Sequence, residues 1–384
     1  LSILGKIMKS KRIYLSPPDL KGQELEHLQA ALQSNWIAPI GPHLDKFEEL
    51  LSRYLDDLPV VALNSGTAAI HLALRLLGVT EKDEVICPTF TFVATTNPVM
   101  YQKATPVLID SELDTWNMCP VQLERAIEDR LKQGKPKPKA IIIVHLYGQP
   151  AQLTQLLAIA QKYEIPVIED AAEALGSCYN GQKAGTWGHL GVISFNGNKI
   201  VTTSAGGALV TRHVSEAKKA LFWATQSKDK APYYQHSEVG YNYRLSNLLA
   251  AIGVGQMQQL EEKVAHRRRV FDYYQQNLPA DVLSFQPELS GTFSNRWLTC
   301  IVLNQQKTSV TPLQLQKALE VENIESRPLW KPMHLQPLLR QCPYYGHTVA
   351  EGLFQQGLCL PSGASLQVAD LDRIVQVIKR VLSV

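Results

Sequence analysis

The sequence predicts an α/β fold: a doubly wound, mostly parallel sheet in a large first domain, then a small C-terminal α/β domain. Three observations carry this expectation. Apolar runs of strand length recur at Glu84 to Ile86, Pro106 to Ile109, Ala140 to His145, Pro166 to Ile168 and Val192 to Phe195. Ile141-Ile142-Ile143-Val144 is apolar on consecutive residues, as expected of a strand covered on both faces. Segments with helical period alternate with these runs, which gives the β-α-β-α order of an open sheet wound on both sides.

The elements follow in chain order. Leu1 to Ser10 has too short an apolar stretch for a signal peptide. Met8 sits before a basic stretch, so the first seven residues are expected to lie upstream of the fold. From Asn64, N-S-G-T-A-A-I-H-L-A-L-R-L-L-G places Ile70, Ala73, Leu74 and Leu77 on one helical face, stopped by Gly78. Gln122 to Lys132 and Gln152 to Tyr163 have the same period. A long helical stretch follows from about Leu245 to Asn277, then a strand at Trp297 to Leu303 and a helix at Pro312 to Glu322. A Pro-rich loop from Arg327 to Pro337 and a last helix from Ala369 to Leu382 complete the chain. The expected division is a large domain over 8–255 and a small one over 256–384.

Composition narrows the function. At 384 residues, with 45% apolar and 19% charged residues, the chain is long enough for a sizeable core and unlike a disordered sequence. A net charge of +3 is too small a surplus to argue for nucleic acid or an anionic membrane, and points to a small-molecule partner. Six cysteines without a C-x-x-C pair argue against a disulfide framework or a thiolate metal site and fit a reducing cytoplasm. No apolar run reaches the roughly 18 to 20 residues of a membrane helix. The basic K-Q-G-K-P-K-P-K segment at Lys132 to Lys139 and Arg267-Arg268-Arg269 read as solvated surface, since neither has interleaved aromatics.

Three features carry chemistry. Ser65-Gly66-Thr67-Ala68 opens a helix with small residues, leaving amides and the helix dipole available to a phosphate; an ordinary helix cap explains the same residues. Asp170 ends an apolar strand, where ligands of open α/β sheets bind, although a capping role is equally compatible; Glu169 should face the other way. Lys199 follows an apolar strand among small polar residues and precedes Gly206-Gly207, a setting that can make an amine nucleophilic; alone it would be a surface lysine. Together, a phosphate site, a carboxylate and a lysine are what pyridoxal 5'-phosphate needs: the lysine bonds to the aldehyde and the acid keeps the ring nitrogen protonated. Trp187, Trp223 and Trp330 read as core or lid residues, His145 as a structural hydrogen-bonding group, and Cys178 as inert.

N-S-G-T-A-A, P-T-F-T-F-V-A-T, I-E-D-A-A-E-A-L-G, S-F-N-G-N-K-I-V-T-T, A-G-G-A-L-V-T and G-Y-N-Y-R-L-S-N resemble successive motifs of the DegT-type (StrS-like) nucleotide-sugar aminotransferases. They span the chain nearly end to end. Y-L-S-P-P, N-W-I-A-P-I-G-P, D-T-W-N-M, H-L-Y-G-Q and R-P-L-W-K-P-M-H further resemble EpsN-like exopolysaccharide enzymes and bacillosamine-pathway 4-aminotransferases. The resemblance implies an aspartate-aminotransferase-like (fold type I) large domain. It implies that Lys199 forms the Schiff base, that Asp170 holds the pyridine nitrogen, and that Gly66, Thr67, Ala68 and Ser194 hold the phosphate, with Phe92 stacked on the ring. Asn242 would reach the phosphate of a neighbouring subunit, making a homodimer with shared active sites. Glu173 stands where many relatives have Gln, near the ring's phenolic oxygen. Trp36, Arg244 and His334 correspond to substrate-side positions, His334 with a packing role as the alternative.

The implied reaction is a ping-pong transamination from an amino acid, L-glutamate, to the 4-keto group of UDP-2-acetamido-2,6-dideoxy-4-keto-hexose. No metal, nucleic acid or membrane insertion is expected. The rivals are an aminotransferase for another keto-sugar nucleotide such as a GDP-perosamine precursor, and a non-catalytic cofactor-binding regulator. A related dehydratase would carry His in place of Lys199.

Overall fold

The computed structural model describes residues 11–383. The expectation for the first seven residues lies outside them. At the centre is an eight-stranded sheet in the order Val60–Leu63, Gly207–Thr211, Leu190–Ser194, Val167–Asp170, Ala140–Val144, Glu84–Pro88, Thr105–Ile109 and Tyr344–Tyr345. Every neighbouring pair is parallel except the two made by Gly207–Thr211.

The consecutive apolar run has the predicted consequence. Ala140–Val144 is buried at every position. Ala140 and Ile142 enter one core cluster with residues of helices Gly66–Leu76 and Val214–Ala224. Ile141 and Ile143 enter another, with residues of helices Pro120–Lys132 and Leu153–Lys162. Helices on both faces are what a period-two strand without polar positions demands. The same split puts Asp170 at the cavity end of its strand and turns Glu169 away, where it meets His145 Nε2 at 2.9 Å and the Trp187 amide at 2.7 Å.

Several strands were not expected, among them two next to the site and Arg327–Pro328, which opens the segment expected as a Pro-rich loop. Val60–Leu63 and Gly207–Thr211 have four and five residues, and the glycine and small side chains of the second give little apolar signal. Their pairing is what brings the Ser65 turn beside the Lys199 loop. The helical stretch expected over Leu245 to Asn277 is two helices, Asn247–Met257 and Leu260–Asn277. The first packs closely on helices Glu24–Gln33 and Pro42–Tyr54, and a Cβ at Gly253 would lie 2.6 Å from the Phe47 ring.

A four-stranded antiparallel sheet, Leu283–Phe285, Thr299–Leu303, Gly357–Leu360 and Arg327–Pro328, forms the C-terminal part. Its core includes Leu315, Ile374 and Ile378. Packing crosses residue 255: Leu260 and Val264 join a core of the large sheet, whereas Val270 and Tyr274 of the same helix join the small one. Ile13 also belongs to the small-sheet core, and its carbonyl accepts from the Glu325 amide at 2.8 Å.

Arg267 corrects the expectation of a solvated arginine run. It is buried, donates to the Trp297 carbonyl and to Ser16 Oγ, and desolvation lowers its pKa to about 10. Arg268 pairs with Glu288 at 2.8 Å, and only Arg269 is exposed as expected. The Lys132 to Lys139 loop is exposed apart from Pro138. Among the described residues no helix is long and apolar enough to cross a membrane.

Candidate active site

A cavity of about 810 Å³ opens where the large sheet's strands end and the small sheet faces them. Ser65, Gly66, Thr67, Phe92, Asp170, Glu173, Ser194 and Lys199 all line it. The sequence features that were separated by up to 134 positions (199 − 65) therefore converge on one site.

Ser65 caps helix Gly66–Leu76, its hydroxyl accepting the Ala68 amide at 3.1 Å. The first amides of a helix have no partner within it, so those of Gly66 and Thr67 are left for a ligand. Of the expected phosphate residues, Gly66, Thr67 and Ser194 line the cavity, whereas Ala68 does not and its amide is held by the cap. Gly207 makes the close approach feasible, because a Cβ there would sit 2.3 Å from the Gly66 nitrogen.

Asp170 Oδ2 accepts from Thr95 Oγ1 at 2.7 Å, and Oδ1 accepts the Ala172 amide at 3.2 Å. Burial raises its pKa, and the Thr95 and Ala172 hydrogen bonds and the charge on Lys199 oppose that rise. Thr95 in turn exchanges a hydrogen bond with Thr91 at 2.7 Å. Neither hydroxyl was singled out from sequence, although both lie in P-T-F-T-F-V-A-T at a spacing of one helical turn.

Lys199 Nζ lies 3.1 Å from Glu173 Oε1 and 4.0 Å from the centre of the Trp297 ring. Its loop is pinned from below: Trp297 Nε1 and Ser16 Oγ each donate to the Asn198 carbonyl at 2.8 Å. Buried Arg267 holds both donors, through the Trp297 carbonyl and Ser16 Oγ. Glu173 Oε2 accepts the amide of Tyr147 at 2.8 Å, and burial pushes the Glu173 carboxyl up to about 7 against the pull of Lys199. Tyr147, held at φ 56°, uses its hydroxyl to accept the Trp330 amide at 3.0 Å. Trp330 lies 5.5 Å from Phe92 and lines the cavity, so it is a wall of the site as well as a packing residue.

Four other expected site residues stand elsewhere in this chain. Arg244 is bound to Glu48, at 3.0 Å through Nη2, and to the Ala62 carbonyl at 3.0 Å. Its charge is thus committed to a structural pair, since breaking such a contact would strand a partly buried carboxylate. His334 is outside the cavity lining: Nδ1 meets Thr89 Oγ1 at 2.7 Å, Nε2 meets Glu351 at 3.1 Å, and the ring stacks on Tyr344 at 4.0 Å. Trp36 is 45% exposed and outside the cavity, with its carbonyl accepting from Asn247. Asn242 is exposed, and its carbonyl accepts from Asn64 at 3.1 Å.

His145 is structural, with Nδ1 accepting the Ala151 amide at 3.1 Å while Nε2 faces Glu169. Trp223 is buried in the core and Trp187 packs against Tyr179. The six cysteines are free thiols, and burial raises that of Cys178. Among the described residues no group of His, Cys, Asp and Glu could hold a metal ion.

These residues fit pyridoxal phosphate. The glycine-backed helix start would hold its phosphate, Asp170 would hold the protonated ring nitrogen, and Lys199 would supply the amine for its aldehyde. Ser194 and Phe92 lie on the same cavity wall.

Known proteins share this sequence and fold. The sequence pattern of the DegT/DnrJ/EryC1/StrS aminotransferase family matches residues 18–379. A Bacillus subtilis (strain 168) protein described as the pyridoxal phosphate-dependent aminotransferase EpsN is 49% identical over 373 residues, covering 96% of this chain and 95% of the relative. A GDP-perosamine synthase of Escherichia coli O157:H7 is 36% identical, covering 93% of this chain and 94% of the relative. The crystal structure of a DegT DnrJ EryC1 StrS aminotransferase from Brucella abortus superposes with a TM-score of 0.88 at 30% identity, covering 94% and 96% of the two chains. The chain therefore belongs to the DegT/DnrJ/EryC1/StrS aminotransferase family and is a pyridoxal-phosphate-dependent sugar aminotransferase.

Proposed function

We propose that the chain moves an amino group from L-glutamate to the 4-keto group of UDP-2-acetamido-2,6-dideoxy-4-keto-hexose, for exopolysaccharide or glycan biosynthesis. The observation that carries the chemistry is the meeting of Lys199, Asp170 and the Ser65 helix start in one cavity. Pyridoxal phosphate, when bound, supplies the aldehyde that carries the amino group and a ring that takes up electron density. The chain supplies everything else. Gly66, Thr67 and Ser194 bind the phosphate, and Asp170 keeps a proton on the ring nitrogen. Lys199 takes a proton from the donor α-carbon in the first half and gives one to the sugar carbon in the second. Phe92, Trp297 and Trp330 wall the site with aromatic rings.

The EpsN similarity favours this sugar, and the GDP-perosamine synthase similarity supports a second reading in which the nucleotide is GDP. A regulator without activity is disfavoured because Lys199 and the carboxyls that serve it are all present and face one another. A homodimer with shared sites belongs to the same proposal. Asn242 and Trp36 are exposed and outside their own cavity, as groups serving a second copy must be, and Ile37, Ile40, Tyr233 and Tyr234 are exposed apolar neighbours in sequence. A cytoplasmic setting is supported by the free thiols.

The test loads the protein with pyridoxamine phosphate and offers UDP-, dTDP- and GDP-linked 4-keto sugars. The UDP-linked 2-acetamido sugar should restore the aldehyde absorbance fastest. Faster return with a GDP-linked sugar selects the second reading, and no return with any of them removes both. Light scattering of the same sample gives the mass, and a monomer would end the shared-site proposal.

A further inference from the structure

Two carboxyls stand on the Lys199 side of the cavity, and their surroundings differ. Asp170 is hydrogen-bonded to Thr95 and the Ala172 amide. Glu173 offers one oxygen to Lys199 Nζ, at 3.1 Å, and the other to the Tyr147 amide, at 2.8 Å. Its backbone is fixed too, since Asn295 Nδ2 donates to the Glu173 carbonyl at 2.8 Å. The side chains of Lys199 and Glu173 are 12% and 5% exposed.

An ammonium has no lone pair with which to attack a carbonyl carbon. Lys199 must shed a proton before it can bond to an aldehyde, and regain one when it is released. The acceptor hydrogen-bonded to Nζ is Glu173. We propose that Glu173 is the group with which Lys199 exchanges that proton, so that the buried amine and carboxyl form one acid–base unit. The ammonium gives H⁺ to the carboxylate, leaving a neutral amine and a neutral carboxyl. The amine then displaces the aldehyde oxygen as water while the C=N bond forms, and the carboxyl returns the proton when the amine leaves.

The surroundings suit this role. The groups facing Glu173 are Lys199, Asp170, the Tyr147 hydroxyl and the Cys300 thiol, with only Lys199 cationic among them. Desolvation brings the carboxyl up to about 7, where the proton can move either way near neutrality. Two donors facing two oxygens also explain why a carboxylate suits the position. A glutamine could accept from Tyr147 only by turning its amide NH₂ toward Lys199.

The inference rests on the aminotransferase reading of Lys199 but needs no sugar. In the cofactor-free full chain, infrared difference spectra should show a protonated carboxyl that ionises with a midpoint near 7. The band should be absent from Glu173→Gln and should move up by about one pH unit or more in Lys199→Met, where no ammonium favours the anion. The rate at which added pyridoxal phosphate bonds to Lys199, read by visible absorbance, should rise through the same midpoint. In Glu173→Gln that rate should fall about 100-fold and lose the inflection. An unmoved midpoint in Lys199→Met, or wild-type bonding rates and pH profile in Glu173→Gln, would overturn the proposal. Should Glu173→Gln fail to fold, the wild-type and Lys199→Met titrations decide it. Failure to aminate any keto-sugar would leave these readouts intact, so the two failures are distinguishable.

Discussion

The two walls of the cavity are built by different rules. On the large-sheet wall, Ser65, Asp170 and Lys199 sit at or just beyond element ends, and their neighbours hold them by hydrogen bonds and packing. On the facing wall, Tyr14, Arg327 and Trp330 come from extended segments, and Tyr14 and Arg327 are more than half exposed. Groups that act on a cofactor common to many reactions need fixed positions, whereas groups that meet a variable sugar can ride on loops. The first wall should govern both half-reactions and the second only the sugar half.

Four experiments press on that division. Lys199→Ala should lower turnover about 10⁴-fold or more in both half-reactions, measured by stopped-flow absorbance, because nucleophile and proton carrier vanish together. Asp170→Asn should cost about 10²- to 10³-fold in kcat with cofactor still bound, as expected for removing one preorganised charge. Near-normal turnover would show that the ring nitrogen does not depend on this acid.

Arg327→Ala should raise KM for the sugar nucleotide about tenfold, the scale of a charge-assisted hydrogen bond to phosphate, while the glutamate half stays unchanged. Its guanidinium lies 2.8 Å from Glu325 on the cavity rim, where it can meet a diphosphate. Equal losses in both halves would erase the distinction between the walls.

The smallest effect is a pH dependence. Burial raises Glu173 from 4.5 to about 7, so the folded chain binds that proton more tightly than the unfolded one. Its contribution favours folding below the unfolded pKa and is lost as pH rises through about 7. Glutamine does not titrate. The melting temperature of Glu173→Gln relative to wild type should therefore climb by about 2–4 °C across that window. A flat difference would mean that Glu173 titrates alike in both states.

Legibility in the sequence followed the range of the interaction. Strand Ala140–Val144 was readable because burial on both faces writes itself into consecutive apolar residues. Strand Gly207–Thr211 was not, because its place between two antiparallel neighbours depends on close backbone approach at Gly207. Asp170 and Lys199 were found because an acid or a lysine just beyond an apolar strand is a local anomaly. Thr95, Tyr147 and Trp297 were missed because each matters through a residue at least 26 positions away. Arg244 and Arg267 show the converse dependence on distant partners. Each reads as an available cation until its distant partner, Glu48 or the Trp297 carbonyl, is seen to occupy it.

By itself, then, the sequence determined the alternation of buried strands and helices and the presence of a small-residue helix start, an acid at a strand end and a lysine beyond another. Those features arise from side-chain periodicity and residue chemistry, which act over a few positions. Only the tertiary structure decided which charges face the cavity, which are neutralised elsewhere, and that Glu173 touches Lys199. Charge pairing depends on separation in space and on burial, and neither is a function of the local sequence.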